Sequence, residues 1–180
     1  MVENISLIVL ATGYIGTLIG GGYAFVTLKA NHDWQRRQYA MEIFRGWNDN
    51  TADHAQAIEN AFPHIRDVDR TTGKVNEITK EHAKRIYTCD FGDTKNWQLR
   101  FHIIELLNYL EFVAVAYSQG VADKQIILDS LKSPLIKWHD ILKNFIETVS
   151  LCEGYEPWKP YIDVVAEWQQ PKTKERKPTA

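Results

Sequence analysis

Between Glu3 and Lys29 the chain carries no charged residue. The stretch Ile5 to Leu28, ISLIVLATGYIGTLIGGGYAFVTL, is 24 residues long. As an α-helix it would extend about 36 Å, enough to cross a bilayer core with some tilt. A secretory signal would need a basic leader and a small-residue cleavage site. Met1-Val2-Glu3-Asn4 contains neither Lys nor Arg, and no convincing A-x-A follows. The sequence therefore predicts a transmembrane helix over 5–28 behind a short extracytoplasmic N-terminus, 1–4. Lys29, Arg36, Arg37 and Arg45 follow this stretch and no basic residue precedes it. The positive-inside rule then places the remainder in the cytoplasm, as in a single-pass inner-membrane protein with its N-terminus out.

Small residues recur every fourth position within the stretch, at Thr12, Gly16, Gly20 and Ala24. Such spacing lets two helix backbones approach closely, so the pattern predicts a homo-oligomer associating through this face. Glycine is also common in membrane helices generally, which is the plainer account of the same residues.

The rest of the 180-residue chain is long enough for one domain, 29–169, with a polar tail at 170–180 expected to be disordered. A net charge of −2 gives no bulk basic footprint, which argues against a nucleic-acid partner. Lys172, Lys174, Arg176 and Lys177 in the tail would suit either a solubilising terminus or anionic headgroups. The expected partners are thus the lipid bilayer, a second copy and an unknown protein. Cys89 and Cys152 match no metal or redox spacing.

Apolar residues beyond position 29 recur at three and four, never in sustained alternation, so the fold class expected is all-α: a helical bundle behind the membrane helix. From 30 to 47, Trp34, Met41, Phe44 and Trp47 can share a side. Asn48-Asp49-Asn50 reads as a break, with a short helix to Phe62 ended by Pro63. Residues 64–75 read as a loop, and 78–89 as a helix capped by Asn76 or Thr79. Leu99, Ile103, Leu106, Leu110, Val113 and Tyr117 mark the central helix, starting near Asp93 and stopping at Gly120. Glu105, Asn108 and Glu111 argue against a second span there. Asp123 caps a helix to Leu131, Ser133-Pro134 starts another that ends near Gly154, and a last helix covers 158–168.

Asn108-Tyr109-Leu110-Glu111-Phe112, Ala114, Gly120, Asp123, Trp138 and Phe145, with Arg37 and Trp47 ten residues apart, resemble an uncharacterised bacterial family, the "domain of unknown function 4760" group. The resemblance implies an N-terminal membrane helix and a helical domain with an N-x-x-E-(F/L) centre. It implies no activity.

His102, Glu105, Asn108 and Glu111, with Arg100 nearby, form the one polar set that a core would not demand. They are candidates for a polar pocket or for a network fixing helix register, with Arg36, Arg37 and Arg45 as charge partners. No H-E-x-x-H, C-x-x-C, E-x-x-H, phosphate loop or nucleophile elbow occurs outside the apolar stretch. No catalytic, metal or cofactor-binding residue is assigned, and no cofactor is expected. The order His102, His139-Asp140, Asp163 superficially matches metal-dependent HD phosphohydrolases, whose chemistry would require the four side chains to converge. The functional expectation is a membrane-anchored helical interaction protein (subunit, scaffold or sensor) self-associating through its glycine-rich span. A membrane-perturbing effector of stress or phage defence and a metal-dependent phosphohydrolase are the alternatives.

Overall fold

The computed structural model describes residues 26–69, 72 and 75–170. Six helices are traced within that range. The described part of α1 covers 26–45. It is followed by α2 (Trp47–Ala61), α3 (Lys80–Tyr87), α4 (Thr94–Ser118), α5 (Lys124–Glu153) and α6 (Lys159–Gln169). Strand pairing among the described residues is confined to one isolated antiparallel bridge, Val68 to Val75. The all-α expectation therefore holds.

The localisation expected from the sequence is corrected. Among the described residues no helix is long and apolar enough to cross a membrane. A single-pass inner-membrane protein is therefore not supported. Of the stretch 5–28, residues 5–25, including Thr12, Gly16, Gly20 and Ala24, lie outside the described residues, as does the tail from 171.

Helix ends follow the local chemistry. Thr79 caps α3 by accepting from the His82 amide, and Asp93 caps α4 by accepting from that of Asn96. Asp123 caps α5, its carboxylate accepting from the amides of Gln125 and Ile126. Gly154 closes α5 in the left-handed region at φ 74°, and Gly120 turns the chain after α4 at φ 67°.

Three sequence expectations fail locally. The predicted break at Asn48-Asp49-Asn50 is helix: α2 begins at Trp47 behind Gly46, and Asn50 supports the join by donating from both its amide and its side chain to the Gly46 carbonyl. The predicted restart at Pro134 is absent, since α5 runs through it. Ile127, Leu131, Leu135 and Trp138 on either side are all buried, and that continuous apolar face outweighs the one backbone hydrogen bond that proline removes. In α1 the buried residues are Ala40 and Ile43, while Trp34, Met41 and Phe44 are exposed.

Helix α4 is the hub. It packs against α2, α3, α5 and α6, and Ile103, Leu106, Leu107, Leu110, Val113 and Ala114 are completely buried. Helix α1 crosses its C-terminal half, where the Tyr109 hydroxyl donates to the Ile43 carbonyl at 3.2 Å and Tyr39 meets the edge of Phe112. The corner after α4 is tied to α1 as well: the Asp123 amide donates to the Arg36 carbonyl at 3.1 Å, and Arg37 pairs with the Asp123 carboxylate at 3.5 Å. The segment before α3 is stitched to α5 twice. Buried Asn144 donates from its side-chain amide to the Ile78 carbonyl at 2.8 Å, and the Ile78 amide donates to the Ile141 carbonyl at 3.0 Å.

Two substitutions test this account. Leu106→Ala opens a cavity at the hub and should lower the unfolding free energy by about 2–5 kcal/mol. Asn144→Ala strips a buried carbonyl of its donor and should cost about 1–3 kcal/mol. Chemical denaturation reads both, and a loss under about 0.5 kcal/mol in either variant would contradict the corresponding packing.

Candidate functional site

The predicted polar set does not stay together. A helix turns about 100° per residue, so His102 and Glu111, nine positions apart, fall on opposite sides of α4. His102 faces α2. Asn108 and Glu111 line a cleft beside the α5–α6 corner. Glu105 lies between them, half-buried, without a hydrogen bond or ion pair to any described residue. Among the described residues Arg36, Arg37 and Arg45 form no ion pair with this set, and Arg37 is engaged by Asp123.

The cleft has a volume of about 540 Å³, and its polar lining includes Tyr87, Arg100, Asn108, Glu111, Glu153 and Trp158. Five of these residues fix its shape. Trp158 is buried, holds a left-handed backbone at φ 56°, and donates from its indole nitrogen to Asn108 Oδ1 at 2.9 Å. Such a conformation costs a non-glycine residue about 1–3 kcal/mol, so the surroundings must hold it there. The carbonyl of Trp158 accepts from the amides of Tyr161 and Ile162 and so opens α6. On the opposite wall the Tyr87 hydroxyl donates to Glu153, and Arg100 lies over the Tyr87 ring at 4.5 Å while donating to the Tyr87 carbonyl at 2.9 Å.

The electrostatics follow from burial. Desolvation, reinforced by the Glu153 carboxylate, pushes the Tyr87 hydroxyl up to about 12, so it is a neutral donor at ordinary pH. Burial also raises the Glu111 carboxyl above its usual range. Glu111 makes no hydrogen bond or ion pair among the described residues. The cleft thus offers an unpaired carboxylate, a guanidinium and aromatic walls. Its lining residues form no nucleophile–base pair. Such a site can hold a polar group by hydrogen bonds.

On the other side of α4, His102 meets His54 of α2, with the two Nδ1 atoms 2.9 Å apart and the rings 5.2 Å apart. One Nδ1 must carry a proton and the other a lone pair. Phe101 packs edge-on against both rings. Burial, then the charge of His54, lowers the His102 pKa, and Asp53 opposes that shift. Nothing in the local sequence around His54 signals this pairing, because its partner lies 48 residues away.

The phosphohydrolase arrangement does not form. His102 is engaged by His54, and Asp163 pairs with Lys159 at 3.7 Å. Asp140 contacts His139 at 3.5 Å and accepts from Gln169 at 3.4 Å. Among the described residues no three His, Cys, Asp or Glu side chains are placed to hold one metal ion.

The fold and the cleft define an all-α bundle organised on one central helix. The chain matches the family described as a domain of unknown function, DUF4760, over residues 14–173, and it belongs to that family. No curated protein and no solved structure is similar to it.

Two outcomes follow. The unfolded chain protonates His102 near its ordinary pKa of about 6.5, while the folded chain resists that proton. Its contribution to stability is therefore complete above that pH and is lost as pH falls below it. Urea midpoints should drop from about pH 7.5 to 5.5, and His102→Asn should flatten part of that slope; an unchanged slope would refute the assignment. For Glu111 the folded pKa is raised, so its contribution falls as pH rises. Glu111→Gln should leave the protein equally or more stable at neutral pH, and a clear loss would reveal a partner for the carboxylate.

Proposed function

We propose that this protein is a helical interaction protein, a subunit, scaffold or sensor that works by binding. The observation that carries the reading is the outer face of α4. A helix with an apolar stripe on one side buries that side and solvates the other. Helix α4 buries its inner side in the core yet also carries large apolar residues outward. Trp97, Phe101, Phe112 and Val115 remain 42%, 48%, 45% and 38% exposed. Large apolar groups aligned on the outside of a hub helix mark a contact surface. The cleft at Arg100, Glu111 and Trp158, on the flank of the same helix, offers polar recognition next to it.

The reading is tested with a photo-crosslinking amino acid placed at position 101 or 112 in living cells, and at exposed Lys84 on α3 as the control. Adducts of discrete mass are expected at 101 and 112 and not at 84. The same absence of adducts at all three positions would overturn it.

A further inference from the structure

The outer face of α4 is patterned symmetrically about its own middle. Phe101 and Phe112 each lie five and a half residues from the midpoint between Leu106 and Leu107. Glu105 and Asn108 each lie one and a half residues from it. Trp97 and Val115, at nine and a half and eight and a half residues, close the two ends. At about 100° per residue these six side chains fall within one face about 80° wide.

The polar pair at the centre is complementary as well. Asn108 uses Oδ1 to accept from Trp158, which leaves its amide hydrogens as donors. Glu105 is an acceptor with no partner among the described residues.

We propose that this face is the isologous interface of a homodimer, with α4 packed antiparallel against α4 of a second copy across a two-fold axis at the midpoint. The inference rests on the reading of the protein as an interaction protein and names its partner. In such a pair Phe101 stacks on Phe112 of the second copy, twice. Each Glu105 carboxylate accepts from the Asn108 amide of the other copy, so both central polar groups are satisfied at the axis. A two-fold interface demands this property, that one patch complement itself. Stable dimers bury about 1,200–2,000 Å² in total, more than one helix pair supplies, so surface flanking α4 contributes to the contact as well.

The test is the solution mass of the full chain by light scattering or sedimentation. Wild type should run at twice the 20.8 kDa chain mass. Phe101→Lys and Phe112→Glu, each at an exposed position, should each be folded by circular dichroism and monomeric. The double variant Phe101→Lys/Phe112→Glu should recover the dimer, because the axis brings the introduced lysine of one copy to the introduced glutamate of the other. As an independent measurement, Glu105→Cys in a Cys89→Ser/Cys152→Ser background should crosslink to itself with a short bismaleimide. The axis places the two positions about 4–5 Å apart along helices whose axes are about 8–10 Å apart. Lys84→Cys should not crosslink. A monomeric wild type, single variants that stay dimeric, or a double variant that stays monomeric would each overturn the dimer. A monomer that still gives adducts of another mass at 101 would overturn the dimer alone and leave the interaction reading standing.

Discussion

Everything in this bundle depends on α4 being buried along its length. It touches all five other helices and supplies six of the residues with no exposed surface. The α1 crossing adds a partner to it directly, and the stitch at Asn144 holds α5 to the segment that leads into α3, which packs on it. Burying a large aliphatic side chain is worth about 1.5–3 kcal/mol, so this helix contributes more to the core than any hydrogen bond in the structure. The same demand explains α5, which keeps going through Pro134 because its apolar face would otherwise be interrupted against α3 and α6.

Much of this was legible in the sequence because helical burial is periodic. Leu99, Ile103, Leu106, Leu110, Val113 and Tyr117 mark the inner face of α4, and all are buried. Caps are equally local: Thr79, Asp93, Asp123 and Gly154 announce themselves by residue type. What was not legible depends on distant partners. Trp34, Met41 and Phe44 look like core by size, yet the α1 contact selects Ala40 and Ile43, because tyrosines 39 and 109 and the Asp123 corner set which side of α1 meets α4. The Asn-Asp-Asn run looks like a break, yet Asn50 serves the helix by bonding to the Gly46 carbonyl.

The polar set shows the same limit. Spacing of three puts His102, Glu105 and Asn108 toward one side of a helix while Glu111 drifts further round, each step turning by about 60°. After three steps the drift is half a turn, so the set is divided between the α2 side and the cleft. His54, Tyr87, Glu153 and Trp158, which complete the two environments, come from other helices and carry no local signal. The left-handed conformation of Trp158 could not be read from a residue type that rarely adopts it.

Asn108 stands where the cleft and the outer face of α4 meet. Its carbonyl oxygen is held by the Trp158 indole, which fixes the orientation of the side-chain amide and therefore the direction in which its hydrogens point. In the proposed dimer those hydrogens bond Glu105 of the second copy. The strain held at Trp158 fits this arrangement, because a rigid indole at that corner sets the geometry of both the cleft wall and the middle of the interface.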